Sequence, residues 1–386
     1  MYYVFCIIRK VLAINMETTK KKGLRPWREL SGLRKVLRVL WIFVLAVLAA
    51  TALLFGYLTA TEFKPAAKEN LGVTRGTDAI NKVDQGKELS ILTWNIGYGA
   101  LGDNADFFMD GGKSVKTADE KRVMENMKGI SEEVSAINPD FAFFQEVDRD
   151  SHRSSGIDEA RLIRKGRSNG DSTFAYNFRV KFIPYPVPPI GKVNSGILTS
   201  SDYKIQNSVR RQLYCPFKWP VSLGNLKRCL MVDRVKINGS SKELVLINLH
   251  LEAYDSGTGK IKQTKMLRDV MDKERAKGNY VIAGGDFNQC FSEADVAAFK
   301  QYPGTWKPGV LDYSQFKGYR LLMDNSDPSC RSLDRAFKGA DPDKFQYYSI
   351  DGFIVSDNVT VNSVKTRNLS FKNSDHNPVV MKFVLN

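Results

Sequence analysis

Eight polar side chains in this chain stand at the ends of short apolar runs: Asn95, Glu146, His250, Asp286, Asn288, Asp351, Asp375 and His376. Carboxylates and amides without thiolates favour a hard cation such as Mg2+ or Mn2+, and imidazoles beside it can donate to phosphate oxygens. That combination suits metal-assisted hydrolysis of a phosphate ester, where charge gathers on the phosphorus oxygens and a cation with fixed donors stabilises it. The stretch Val281-Ile-Ala-Gly-Gly-Asp-Phe-Asn288 shows the pattern most clearly. Gly284 and Gly285 remove side chains where another strand or a ligand approaches, and Asp286 and Asn288, two apart, point to the same side of a strand end. The sequence holds no GxSxG, no Walker-type glycine loop and no HExxH, so serine hydrolase, nucleotide kinase and zinc protease chemistry have nothing to rest on.

The elements that must carry these groups read as alternating strands and helices. Leu89 to Asn95, Phe141 to Glu146 and Leu244 to His250 are compact apolar runs ending on an amide, an acid and an imidazole. Thr117-Ala-Asp-Glu120 has the form of a capping box, and Val123, Met127, Ile130, Val134 and Ile137 recur at helical spacing until Asn138-Pro139. A second helix is expected over roughly residues 262–277. The runs from Tyr348 to Val355 and from Ser374 to Phe383 carry their polar residues at the start instead. Strands running antiparallel to the others would bring all these groups to one edge of an α/β domain with mixed sheets. On its apolar strand His250 reads equally as a satisfied core histidine and as a phosphate donor.

Thr93-Trp-Asn95, Gln145-Glu146, Asn248-Leu-His250, Gly285-Asp-Phe-Asn288, Ile350-Asp351 and Ser374-Asp-His376, in this order, resemble the endonuclease/exonuclease/phosphatase superfamily from Leu89 to the C-terminus. The resemblance implies a four-layer sandwich of two mixed β-sheets flanked by helices. It implies Glu146 as the principal ligand of Mg2+ or Mn2+, with Asn95 beside it and Asp375 supporting the metal shell. Asp286 would orient or deprotonate the attacking water, and Asn288 and His250 would donate to the phosphate. His376 would stabilise the phosphorane or protonate the leaving oxygen, its ring fixed and kept protonated by Asp351. Arg149, in Gln145-Glu-Val-Asp-Arg149, is similar to a phosphate-contacting arginine of the deoxyribonucleases. One departure is that residues 173–201, where such members place a carboxylate for the first histidine, contain no acid. They hold Phe174, Tyr176, Phe178, Arg179, Lys181, Tyr185 and Asn194, a basic aromatic rim that could meet nucleic acid or a phospholipid surface, with Asn194 a candidate substrate contact. The resemblance also favours a Cys290–Cys330 bridge, with Cys215–Cys229 as the other pair.

The formal charge of +15 over 386 residues is uneven. Residues 1–38 contribute about half of it, through 10 Lys and Arg against 2 acids. The next 22 residues, Val39 to Ala60, are uncharged and would form about 33 Å of helix, enough to span a bilayer. The basic flank places the N-terminal side in the cytoplasm and the catalytic domain outside it. The expected organisation is therefore a basic cytoplasmic tail (1–38), a transmembrane helix (39–61), a linker (62–88) and a catalytic domain (89–386), with Met16 a candidate natural start. The expected activity is that of a membrane-anchored, Mg2+-dependent phosphoric ester hydrolase. Its substrate would be nucleic acid or a phospholipid head group, its lipid partner the bilayer around the N-terminal helix, and nothing marks an obligate protein partner. A sphingomyelinase or phosphoinositide-type hydrolase and a non-catalytic binding module on the same scaffold are the alternatives.

Overall fold

The computed structural model describes residues 31–386. The basic stretch with Lys20, Lys21, Lys22, Arg25 and Arg28, and the candidate start at Met16, lie outside the described residues. The chain divides at Ala60 into two compact units. The first contains helix α1 (Gly32–Ala60), 29 residues, long and apolar enough to cross a membrane.

The second unit, Thr61–Asn386, is built on two seven-stranded mixed sheets. Its strands are β1 (Lys68–Asn70), β2 (Val73–Thr74), β3 (Glu88–Asn95), β4 (Phe141–Asp148), β5 (Asp171–Ile183), β6 (Gly191–Ser201) and β7 (Ile205–Gln212). Then come β8 (Cys229–Lys236), β9 (Glu243–His250), β10 (Tyr280–Asp286), β11 (Tyr319–Leu322), β12 (Asp351–Ser356), β13 (Val359–Thr366) and β14 (Val379–Leu385). One sheet has the order β1-β7-β8-β9-β10-β12-β11, the other β13-β14-β3-β4-β6-β5-β2. Helices α2 (Glu120–Ile137) and α3 (Glu159–Gly166) cover the second sheet, and α4 (Thr258–Arg275) covers the first.

Alternation along the strands explains the layers. Leu89 and Ile91 of β3, Phe141 and Phe143 of β4, Leu244 and Leu246 of β9 and Ile282 of β10 meet in one cluster between the sheets. Their sequence neighbours Leu92, Trp94, Ala142 and Phe144 pack outward against Val123, Met127 and Ile130 of α2. Val245, Ile247, Val281 and Ala283 likewise meet Leu267, Val270 and Met271 of α4. Continuing the inward face to the strand ends reaches Asn95, His250 and Asp286. The expected antiparallel partners are found: β12 pairs with β10 so that Asp351 lies opposite Asp286, and β14 pairs with β3.

Gly285 is held at φ +150, and a Cβ there would stand 2.0 Å from the Leu249 carbonyl oxygen of the parallel neighbour β9. Gly285→Ala should therefore destabilise the domain by about 3 kcal/mol or more, combining overpacking with backbone strain. Denaturant unfolding checks this; a loss under about 1 kcal/mol would show that the strands can part there.

Three expectations are corrected. Residues 62–88 are not simply a linker, because β1 pairs with β7 and β2 with β5, one strand for each sheet. Asp119 rather than Thr117 caps α2: its carboxylate accepts from the Arg122 N–H at 2.8 Å, while the Thr117 hydroxyl donates to the Ala100 carbonyl. Neither expected disulfide forms, and Cys215, Cys229, Cys290 and Cys330 are free thiols. The thiols of the favoured pair turn to different carbonyls, Cys290 to Ser349 at 3.2 Å and Cys330 to Arg331 at 3.5 Å.

Candidate active site

The strand ends open into a cleft of about 960 Å³ whose walls include Glu146, His250, Asp286, Asn288, Asp375 and His376. Asn95, itself buried, links two of these carboxylates. Its Nδ2 donates to Glu146 Oε1 at 3.3 Å and to Asp286 Oδ2 at 3.1 Å, and its Oδ1 accepts from the Gly97 N–H.

Glu146 is not on the inward face by simple alternation, which assigns that face to Gln145. Gln145 is indeed buried, donating to Asn248 Oδ1 of the other sheet at 2.9 Å. Glu146 reaches the cleft because its backbone adopts φ +55, where the register of β4 on β6 shifts between Phe144 and Val147. A bulge of this kind re-aims one side chain.

Asp286 is buried, with Oδ1 accepting from the Asn288 N–H at 2.8 Å and Oδ2 lying 3.5 Å from His250 Nε2 and 3.9 Å from His376 Nε2. Asn288, at φ +49, donates one amide hydrogen to the Leu251 carbonyl. His376 Nδ1 lies 2.8 Å from Asp351 Oδ2, and that oxygen also accepts from the Ser329 hydroxyl at 2.7 Å. Although burial works against the charged ring, Asp351 raises the His376 pKa well above the usual imidazole value. His250 is the opposite case: burial, with Arg228, His376 and Arg153 nearby, holds it well below that value. The cleft thus contains one protonated and one neutral imidazole near neutral pH.

These groups fit a hard divalent cation. Burial, aided by Asp351, pushes Asp286 up to about 7, and burial with Glu146 nearby pushes Asp375 up to about 6, so the protonated His376 only partly offsets the crowded carboxylates. Asp351 Oδ1 is buried without a partner. Oxygen donors from Glu146, Asp375 and Asn95 would hold Mg2+ or Mn2+. Asp286, Asp351 and His376 also offer ligand atoms within 4.8 Å of one another, as do Cys330, Asp375 and His376.

A pH dependence follows. Carboxyls whose folded pKa lies above the ordinary value of about 4 contribute stability that is full below that value and is lost as pH rises through the folded one. For Asp375 and Asp286 that loss runs up to about 6 and about 7. Metal-free protein should melt lower at pH 8 than at pH 5, and Mg2+ should raise Tm more at pH 8, where it replaces no proton. Equal Mg2+ shifts at the two pH values would contradict this account of the carboxylates.

Not every expected contact lies in the cleft. Arg149 pairs with Asp158 at 3.4 Å and lies over the Phe174 ring, and the Asn194 amide donates to the Asp150 carbonyl; neither lines the cleft. Arg153 lines it instead. Its guanidinium makes two bonds to the fully buried Asp148, at 3.0 and 2.9 Å, and lies 3.7 Å from the centre of the Tyr98 ring. Arg228, paired with Glu252 at 3.2 Å, is a second cleft cation. For Tyr98 the sequence did carry a signal, since it stands between Gly97 and Gly99 immediately past a strand end, and all three have positive φ.

A profile of the endonuclease/exonuclease/phosphatase family matches residues 92–376. A crystal structure of an endonuclease/exonuclease/phosphatase from Beutenbergia cavernae is similar at 19% identity and TM-score 0.52, covering 78% of this chain and 72% of that one. Truncated Caenorhabditis elegans TDP2 is similar at 18% identity and TM-score 0.48, covering 78% and 99%. The human Nocturnin catalytic domain, with a bound sulfate, is similar at 16% identity and TM-score 0.47, covering 82% and 97%. Comparison with curated proteins finds no match.

Proposed function

Because the chain belongs to the endonuclease/exonuclease/phosphatase family, whose members are metal-dependent phosphoester hydrolases, we propose that it is a divalent-metal-dependent phosphodiesterase. Its substrate is a phosphate ester of nucleic acid or phospholipid. The observation that carries this reading is the convergence of Glu146, Asp286, Asp375, His250 and the Asp351–His376 pair on one cleft around Asn95.

Asp286, fixed by the Asn288 N–H and the Asn95 amide, orients the attacking water and takes its proton. His250, neutral, donates one N–H to a phosphoryl oxygen, and the remaining amide hydrogen of Asn288 donates to another. His376, protonated and held by Asp351, gives its Nε2 proton to the leaving oxygen. Glu146 and Asp375, with Asn95 beside them, would hold a divalent cation, which would supply Lewis-acid polarisation of the phosphoryl group. The cleft walls also contain Leu101, Phe107, Phe108, Phe178 and Ile183. That apolar lining suits an amphiphilic ester, while Arg153, Arg228, Arg331, Arg335 and Lys344 on the same walls suit a polyanion.

In the same reading α1 spans the membrane, with Arg34, Lys35 and Arg38 on its cytoplasmic side and the catalytic unit outside. The test is a screen of full-length protein in maltoside micelles against DNA, RNA, inositol phosphates, phospholipid vesicles and bis(p-nitrophenyl) phosphate. Turnover with Mg2+ or Mn2+ that EDTA abolishes is expected on at least one. None on any of them would leave a binding module on the same scaffold. A nuclease would lose activity steeply with salt, whereas a lipid hydrolase would depend on vesicles.

A further inference from the structure

Asp110 is not used by the mechanism above, yet it lines the same cleft. It ends a short turn (Phe108–Asp110), and its Oδ1 accepts from the Tyr254 hydroxyl at 3.0 Å. Among the described residues its carboxylate forms no ion pair with a lysine or arginine, although Arg331, Arg335 and Lys344 line the same cleft; Glu146 and His376 act on it electrostatically without bonding it. It therefore shares the cleft of Glu146 and His376 without a bonded basic partner of its own. Burial pushes its carboxyl up to about 6, consistent with a missing counter-cation.

The surroundings indicate what kind of cation fits. Phe107 and Phe108 have ring centroids 4.9 Å apart, and Phe108 lies 6.2 Å from Tyr185. Tyr185 and Tyr254 line the cleft with them. A hard metal ion takes six or more oxygen ligands, and this wall provides one phenol beside the carboxylate. Aromatic faces next to a carboxylate suit a weakly hydrated organic cation, attracted by both the charge and the ring quadrupoles. A nucleobase would stack on the same rings but would bring Asp110 no opposite charge.

The geometry points to an organic-cation subsite formed by Asp110, Tyr254, Phe108 and Tyr185, which recognises an alkylammonium group carried by the phosphodiester substrate. This rests on the phosphodiesterase reading for the position of the ester; the subsite itself is tested by binding alone. Full-length protein in maltoside micelles with Mg2+ is titrated calorimetrically with phosphocholine and with 3,3-dimethylbutyl phosphate, its uncharged isostere. Wild type should prefer phosphocholine by about tenfold or more. Asp110→Asn should abolish that preference while binding the isostere within about twofold of wild type. Tyr185→Ala, at the exposed rim, should shrink the preference several-fold, giving a second readout if Asp110→Asn fails to melt like wild type.

Equal wild-type affinity for the two phosphates would overturn the subsite. So would a preference that survives in Asp110→Asn, or adenosine 5′-monophosphate binding more tightly than phosphocholine. Turnover of glycerophosphocholine or of phosphatidylcholine vesicles, each reduced in Asp110→Asn, would support it and tell a soluble source from a lipid one. Absence of turnover on every diester would refute the phosphodiesterase reading and leave the binding preference intact.

Discussion

Asp286→Asn should lower turnover by about 10²- to 10⁴-fold while the rise in Tm on adding Mg2+ persists. The substitution keeps shape and burial, and the amide oxygen can still accept from the Asn95 amide or the Asn288 N–H, the two donors that hold the native carboxylate. What it cannot do is take a proton from water. The two measurements together separate two roles for one residue. A lost Mg2+ shift would make Asp286 a metal ligand, and a fall in turnover below tenfold would remove it from proton transfer. His376→Ala should fall by about 10²-fold or more, because its ring is the protonated donor of the cleft and Asp351 has no other basic partner within bonding distance among the described residues.

Arg153→Met should destabilise the catalytic unit by about 3–5 kcal/mol, the cost of breaking a buried pair from one side. Asp148 is fully buried and would keep only the Ser154 hydroxyl and no bonded cation. The nearby Glu159 supplies no compensating cation. Burial and Asp148 raise its pKa well above the ordinary carboxylate value, and one of its oxygens is already buried without a partner. The double variant Asp148→Asn/Arg153→Met should be more stable than Arg153→Met alone, since it no longer buries a lone charge. Denaturant midpoints of the two decide the matter. A single variant within about 1 kcal/mol of wild type would mean that water reaches Asp148.

How much of this was legible beforehand depended on whether a residue sat in a regular element. Asn95, His250 and Asp286 end strands of uninterrupted period two, so their inward direction follows from Ile91, Leu246 and Ile282 on the same faces. The reversed strands were legible from the polar starts at Asp351 and Asp375. Glu146 was identified from its place after an apolar run, but its aim depends on a left-handed residue in a bulge, and no spacing reports that. Arg149 and Arg153 are four residues apart at the end of β4 and in the loop beyond it. There the chain's path, not periodicity, decides which guanidinium faces the cleft. Asp110 and Tyr254 meet across 144 residues, a distance in sequence at which no local pattern speaks. Thiol pairing failed for the same reason, being a property of three-dimensional position.

The two short strands β1 and β2 have a practical consequence. Each closes the rim of a different sheet, β1 lying on β7 and β2 on β5. A soluble form cut at Leu89, the obvious boundary from hydropathy, would bare rows of unpaired N–H and C=O groups on both. Such open rims are templates for association with another chain. Aggregation of that form would then report the missing residues 61–88, whereas a cut at Thr61 keeps both rims capped.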